Sequence, residues 1–166
     1  MLRGYTGKIA HIDLTAEKIS YEPLDEETAR RFIGGVGLAA KILWDETARD
    51  TEPFAPENPL IFMTGPLTGT RLPKSSRYIL AGISPLTGIW GQAHAGGSFP
   101  DELRHSGFDG IVIRGEAERP VYLWVQDRRV EVRDAEHLWG MDTYRAADLL
   151  KKETDGNASP ACIGPA

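Results

Sequence analysis

Hydrophobic and polar residues alternate along the first part of the chain in the pattern of a β-hairpin. The alternation covers residues 5–13 and 17–22, with a short turn between them. After Asp25, a favourable helix N-cap, the apolar positions change to helical spacing, and a second helical pattern covers residues 38–45. The segment Gly34-Gly35-Val36-Gly37 lies between them, and each glycine inside a helix costs roughly 1 kcal/mol. We therefore predict two helices that pack closely at these glycines.

Short apolar runs in the rest of the chain predict further strands and a last helix. The predicted strands cover residues 60–63, 78–83, 109–114, 121–126 and 130–133. A tight turn at Asp127-Arg128 joins the last two strands, and the final helix covers residues 143–153. Strands grouped into hairpins, with helices between the groups, indicate an α+β fold rather than a regular βαβ alternation.

Composition is that of a globular protein with a hydrophobic core. Hydrophobic residues make up 41% and charged residues 26% of the 166 residues, a length that suits one domain. Residues 1–166 are therefore expected to belong to a single domain. The apolar run 162–166 contains Gly-Pro, which is typical of the start of a turn, so we expect the chain to stop before the domain is complete.

Charge and cysteine content argue against several classes of protein. The net charge of −5 argues against nucleic acid as the main partner. The single cysteine, Cys162, excludes an intramolecular disulfide framework and any cysteine-ligated cluster held by this chain alone. No apolar run has the length of a membrane span or the form of a signal peptide, so we expect no membrane partner and a cytoplasmic location.

The most informative feature is a repeated turn motif in a glycine-rich block. Residues 65–70 read Gly-Pro-Leu-Thr-Gly-Thr, and residues 84–88 read Ser-Pro-Leu-Thr-Gly. Ten of the 18 glycines lie between Gly65 and Gly115. Glycines let backbone N–H groups approach a ligand closely, and arginine is the side chain best matched to phosphate. The block is therefore where we expect function.

Two interpretations of this block remain open from the residues alone. Gly96-Gly97 precedes a short predicted helix in which Ser98 and Asp101 fit a capping box and Gly107 fits the C′ position. The glycine N–H groups, together with Arg77, have the chemistry of an anion-binding site. The same residues also fit a capped helix with a purely structural Gly-Gly turn.

Other candidate chemistry is weaker. The histidines are His11, His94, His105 and His137, and none has metal-ligand spacing to another histidine or to the cysteine. We interpret His11 and His105 as surface or packing residues, whereas His94 lies within the glycine-rich block. Gly34-Gly35-Val36-Gly37 follows a helical pattern instead of a strand, so it is not a dinucleotide-binding fingerprint. No nucleophile motif or paired carboxylates are found.

The motifs together resemble a known family. The chain is similar, over essentially its whole length, to the N-terminal region of the tungsten-containing aldehyde:ferredoxin oxidoreductases. The motifs that carry the resemblance are Pro56-Glu57-Asn58, 65–70, Arg77-Tyr78, 84–88, Gly96-Gly97, Glu102-Leu103, Gly107-Phe108-Asp109, 114–117 and 134–140.

This resemblance implies a fold and a set of site residues. In the family, the N-terminal domain is an α+β base of two sheets on which a bis-pterin tungsten cofactor sits, molybdenum being an alternative metal. The resemblance gives cofactor contacts to Arg77 and to His94, Ala95, Gly96 and Gly97. It also implies that the main-chain carbonyl of His94 helps to bind a magnesium ion that bridges the two pterin phosphates. It implies no catalytic residue in this chain.

The resemblance also implies an activity for a longer protein. Such an enzyme oxidises small aldehydes to carboxylic acids and passes electrons through a 4Fe-4S cluster to ferredoxin or a ferredoxin-like subunit. The second pterin loop, the cluster cysteines and the substrate pocket would lie beyond Ala166, so we expect no catalysis by this segment alone. The oligomeric state stays open, with a homodimer of the full-length protein among the alternatives.

The chain departs from the family pattern at a few positions. His94 stands where the family often has asparagine, Lys74-Ser75-Ser76 replaces a small, glycine-rich segment, and Pro100 replaces a small residue. These changes leave the cofactor class intact and the substrate subclass open. The alternative to the enzyme is a stand-alone module that binds a phosphorylated ligand without redox activity.

Overall fold

The structure is a computed structural model that describes residues 3–165. Within them the strands are β1 Lys8–Asp13, β2 Lys18–Pro23, β3 Leu60–Thr64, β4 Tyr78–Ile83, β5 Trp90–Ala95, β6 Gly110–Arg114, β7 Val121–Gln126 and β8 Arg129–Asp134. The helices are α1 Glu26–Phe32, α2 Val36–Glu46, α3 Phe99–His105 and α4 Thr143–Glu153, with a 3₁₀ turn at Glu136–Leu138.

Six of the strands form one mixed sheet, and the other two form a hairpin. The order in the large sheet is β2-β1-β6-β3-β4-β5, and β7 pairs only with β8. β1 runs parallel to β6, whereas every other pairing in the sheet is antiparallel. Strands 3, 4 and 5 are neighbours both in the sheet and in the chain. The predicted α+β class with two sheets is therefore confirmed.

The large sheet is covered on both faces. On one face Ile9 and Ile61 pack with Leu38 and Leu43 of α2. On the other face a second core cluster joins the sheet to α3 and to the β7–β8 hairpin; its buried members are Ala10, Ile12, Leu103, Phe108, Ile111 and Val130. Each face buries several large apolar side chains, at about 1.5–3 kcal/mol per side chain relative to exposure.

The glycines between the first two helices allow the predicted close approach. A Cβ atom on Gly37 would lie 2.1 Å from the carbonyl oxygen of Phe32, the last residue of α1. A Cβ atom on Gly34 would lie 3.1 Å from the Cα atom of Gly65. The helices therefore pack at these glycines, although α2 begins at Val36 and not at Leu38 as predicted.

Two local predictions were incomplete or wrong. Strand β5 was not predicted, because its residues are small or polar and do not alternate. Ser98 is the N-cap of α3, but its side chain makes no capping bond. Instead Ser98 Oγ accepts a hydrogen bond of 2.7 Å from Ser159 Oγ, and Asp101 accepts one of 2.9 Å from the backbone N–H of Gly69. Gly107, with φ of +92°, does close the helix.

A buried ion pair holds the N-terminal segment to the sheet. Asp109 is 1% exposed and accepts hydrogen bonds from the backbone N–H groups of Thr6 at 3.0 Å, Gly7 at 2.7 Å and Lys8 at 3.1 Å. Its carboxylate also pairs with Arg104 of α3. The buried carboxylate of Asp109 is thus matched by several donors, as low-dielectric surroundings require.

A second charged cluster joins the end of α2 to the sheet. His11 is buried, and its ring nitrogens lie 3.6 Å from Glu46 and 3.4 Å from Glu22. Arg114 of β6 also pairs with Glu46. Burial is the main cause that raises the pKa of Glu46; the charge of Glu22 adds to it, and the charges of Arg114 and His11 oppose it. The interpretation of His11 as a packing residue agrees with this position.

Within residues 3–165, none of the helices combines the length and apolar character that a membrane crossing needs.

Candidate anion-binding site

The two segments singled out from the sequence leave the sheet at the same end. Thr64, at the end of β3, pairs with Tyr78, at the start of β4, and Tyr78 pairs with Ala95, at the end of β5. Arg77 therefore directly precedes the first residue of β4, and Gly96 directly follows the last residue of β5. The sheet brings Arg77 close to Gly96-Gly97.

The loop that carries Arg77 is closed by one threonine hydroxyl. Thr68 is 4% exposed, and its Oγ1 accepts a hydrogen bond of 3.2 Å from the backbone N–H of Gly65. The same oxygen donates a hydrogen bond of 3.0 Å to the carbonyl of Arg77. The first and last residues of loop 65–77 are thereby tied to a single side chain. This makes the base of the loop an ordered structure.

A second hydroxyl ties this loop to the end of β5. Ser76 Oγ donates a hydrogen bond of 2.5 Å to the carbonyl oxygen of Gly97. Gly97 has φ of +88°, a conformation that suits glycine, and a Cβ atom built there would meet nothing within 4 Å. A Cβ atom on Gly96 would lie 3.2 Å from the carbonyl oxygen of Ser76. Open space therefore lies next to Gly97.

The arginine at this end is free to bind a ligand. Arg77 is exposed, and its guanidinium makes no ion pair or hydrogen bond with any residue in the described range 3–165. Within the same range, Arg71 and Lys74 of the loop are also exposed and without an acidic partner. A guanidinium offers five N–H donors in a planar fork that matches phosphate or carboxylate.

The sequence around the site contains a signal that the motif search missed. No Asp or Glu occurs between Glu57 and Asp101, although the chain has 24 acidic residues in all. The charged residues of this stretch are Arg71, Lys74 and Arg77. In a chain of net charge −5, this leaves a segment of sequence whose charges are all positive. The Asp101 carboxylate reaches the loop at Gly69 but forms no ion pair with these three residues. The lack of Asp and Glu between Glu57 and Asp101 could have pointed to this region without any motif.

An aromatic cluster begins at the residue that follows Arg77 in the chain. Tyr78 is buried, with its ring 6.0 Å from that of Phe62 and 5.0 Å from that of Phe99. Burial raises the pKa of the Tyr78 phenol. The residue next to Arg77 therefore stays neutral near pH 7 and adds no negative charge to the site.

The remaining predicted residues lie on the edge strand. His94 pairs with Ile79 in the β4–β5 ladder, and its side chain is exposed; Ala95 is partly buried. Among residues 3–165 no three His, Cys, Asp or Glu side chains come together to hold a metal ion. The expected role of His94 uses its main-chain carbonyl, so it stays a prediction. Sequence reasoning missed the hydrogen bonds of Thr68 and Ser76 and gave Asp101 a capping role in place of its bond to Gly69.

Comparisons with known proteins agree with the resemblance seen in the sequence. The family model described as aldehyde ferredoxin oxidoreductase, N-terminal domain, matches residues 9–166. A tungsten-containing aldehyde ferredoxin oxidoreductase of Pyrococcus abyssi is 44% identical over 164 residues, which are 98% of this chain and 27% of that relative. The aliphatic sulfonate oxidoreductase, WOR-like subunit, of Pyrococcus furiosus is 39% identical over 152 residues, 90% of this chain and 24% of that relative.

A solved structure shows the same fold. The active site complex BamBC of benzoyl coenzyme A reductase, in complex with 1,5-dienoyl-CoA, superposes with a TM-score of 0.96 at 38% identity. The match covers 99% of this chain and 25% of that one, so the chain spans about a quarter of the proteins it matches. The chain belongs to the aldehyde ferredoxin oxidoreductase family, and the part of the family that it matches is the N-terminal domain.

Proposed function

We propose that this domain binds a tungsten (or molybdenum) bis-pterin cofactor at the end of the sheet where Arg77 meets Gly96-Gly97. The longer enzyme would oxidise aldehydes to carboxylic acids in the cytoplasm, with ferredoxin as the electron acceptor. The observation that carries the proposal is the unpaired guanidinium of Arg77 beside a glycine turn, inside a stretch without acidic residues.

The residues at this end fit such a group. A pterin cofactor of this class carries phosphate, and the Arg77 guanidinium can hold a phosphate through two parallel hydrogen bonds. The open space beside Gly97 admits a ligand next to the backbone, because no side chain occupies it. His94 and Ala95 would contribute main-chain contacts, the carbonyl of His94 toward a magnesium ion between the phosphates. When bound, the metal–pterin group would supply the two-electron redox chemistry, and a 4Fe-4S cluster held elsewhere in the longer enzyme would accept the electrons.

This domain is proposed to hold the cofactor and not to choose the substrate. Relatives named for aldehydes, for aliphatic sulfonates and for benzoyl coenzyme A are all between 38% and 44% identical to this chain. That likeness across different named reactions supports a shared task for the domain. The choice of aldehyde would then be made by residues outside these 166.

Metal analysis of the full-length protein tests the proposal. Protein produced with tungstate available should contain tungsten or molybdenum together with pterin. Loss of one charge-assisted contact costs about 1.5–3 kcal/mol, so Arg77→Ala should weaken cofactor binding by roughly tenfold or more. Arg49→Ala is the matched control, because Arg49 is exposed on the connection that leads to the other end of β3.

Two results would count against the proposal. A full-length wild-type protein without either metal would exclude the enzyme and favour the alternative, a stand-alone module that binds a phosphorylated ligand. Unchanged metal and pterin content in Arg77→Ala would remove the assigned role of Arg77.

A further inference from the structure

We propose that the hydroxyls of Thr68 and Ser76 are positioning groups that set Arg77 against Gly96-Gly97 before a ligand binds. The identity of the ligand rests on the proposed function. That the two hydroxyls order the loop does not depend on it. Both hydroxyls donate to backbone carbonyls, so they act through the backbone that carries the contacting groups.

The case for Thr68 is its placement at the base of the loop. One buried oxygen accepts from the N–H of Gly65 and donates to the carbonyl of Arg77, so both hydrogen-bonding capacities are used by the two ends of loop 65–77. The backbone N–H of Thr68 also donates to the carbonyl of Gly65 at 3.1 Å. The position of the Arg77 backbone is therefore fixed by a side chain nine residues earlier.

The case for Ser76 is its link between two separate segments. Its hydroxyl belongs to the residue before Arg77 and binds the carbonyl of Gly97, 21 residues later in the chain. This bond fixes the direction of the carbonyl of Gly97, a residue whose φ is +88°.

Such bonds matter because a binding constellation must be held to within about 0.5 Å. Arginine has many rotamers, and a loose backbone beneath it adds further disorder that ligand binding would have to remove. Two hydrogen bonds that remove this disorder in advance lower the cost of binding. The expected effect is on affinity for the cofactor, with a small effect on the fold.

Amide hydrogen exchange on the full-length protein, produced without tungstate, tests the structural part. Thr68→Val keeps the shape and removes the hydroxyl, so exchange in peptides covering 65–77 should rise about tenfold, as expected for a lost bond worth roughly 1.4 kcal/mol. Thr68→Ser should restore slow exchange. Thr70→Val is the matched control, since the hydroxyl of Thr70 is exposed and bonds to the carbonyl of Leu67 at 2.7 Å, the N–H of Leu72 at 3.4 Å and the hydroxyl of Ser75 at 3.5 Å. Among the described residues it reaches neither Gly65 nor Arg77.

Ser76→Ala supplies a second test if Thr68→Val does not fold. Its hydroxyl lies nearer the surface, so the fold should survive, and exchange should rise in the peptides covering 94–97. Unchanged exchange in both variants would overturn the inference.

Cofactor content tests the link to Arg77. Thr68→Val should lower the tungsten and pterin content by up to tenfold, whereas Thr70→Val should not. If Thr68 acts through Arg77, adding Thr68→Val to Arg77→Ala should lower the content no further. A fully additive loss would contradict a positioning role. If Arg77→Ala alone has no effect, the proposed function fails, and the exchange data still decide whether the hydroxyls order the loop.

Discussion

Arg104 and Arg77 lie near the same loop, and the protein uses them in opposite ways. The Arg104 side chain is 9% exposed, pairs with the buried Asp109 and donates to the carbonyl of Gly4. Arg77 is exposed and pairs with no residue of the described chain. A Cβ atom on Gly69, within loop 65–77, would lie 3.2 Å from the Cβ atom of Arg104. The structural arginine thus supports the loop that presents the free one.

This difference shows how the surroundings of an arginine separate structure from binding. A buried guanidinium without a carboxylate would be costly, so Arg104 needs Asp109. An exposed guanidinium loses little by staying unpaired, and it keeps its hydrogen-bonding capacity for a ligand. The distribution of acidic residues, and not that of arginines, therefore distinguishes the two.

Removing Asp109 should produce the largest effect. Asp109→Ala leaves Arg104 buried without an acidic partner and frees three backbone N–H groups, so we expect a loss of roughly 3–5 kcal/mol in the free energy of unfolding. Urea unfolding followed by circular dichroism measures it. The double variant with Arg104→Ala should lose less than the sum of the two single losses. If the two losses in the free energy of unfolding are additive, Asp109 and Arg104 are not energetically coupled.

Replacing the largely buried Glu46 should have an effect on stability of intermediate size that depends on pH. Its pKa is raised in the folded protein, so its contribution to stability is fully present below the unfolded pKa, about 4.3, and is lost as the pH rises through the folded value. A glutamine side chain does not titrate, so the Glu46→Gln variant does not lose this stability as the pH rises. The melting temperature of the variant relative to wild type should therefore rise between pH 4 and pH 7.

The matched control for this series is Glu22→Gln. Glu22 contacts the same histidine, but its side chain is 65% exposed, so solvent screens its charge and the substitution should change the melting temperature little. A variant-minus-wild-type difference for Glu46→Gln that stays flat or falls with pH would contradict burial as the dominant cause.

Replacing Arg77 should have the smallest effect on the fold. Since Arg77→Ala breaks no contact within the described residues, the free energy of unfolding should change by less than about 0.5 kcal/mol, as for other surface positions. Urea unfolding of the cofactor-free protein checks this. A loss of several kcal/mol would mean that Arg77 is a structural residue like Arg104, and the contrast between the two would disappear.

Much of the fold could be predicted from local patterns. The alternation at residues 5–13 and the turn at Asp127-Arg128, where both residues have positive φ, are local signals, and the structure confirms them. The order of the strands could not be predicted, because the parallel pairing of β1 with β6 depends on contacts far apart in the chain. β5 was missed for a related reason: its residues form a strand only because β4 pairs with them.

The residues proposed to contact a ligand could be named from the sequence, whereas the residues that support them could not. Arg77 and Gly96-Gly97 stand out by residue type, whereas the roles of Thr68 and Asp101 depend on which backbone group is nearby. Asp101 fitted a capping box by spacing, yet its carboxylate binds Gly69 from another segment. A spacing rule considers only the helix itself, and here tertiary structure supplied a different donor.

The neighbouring positions of β3, β4 and β5 have a consequence for folding kinetics. Ile83 pairs with Trp90, whereas Ile9 must find Gly110 across most of the chain. Loop-closure entropy grows with the logarithm of loop length, so the shorter closure costs roughly 2 kcal/mol less. The meander has low contact order and should therefore assemble early, which means that the end carrying Arg77 takes shape before the N-terminal strands complete the sheet.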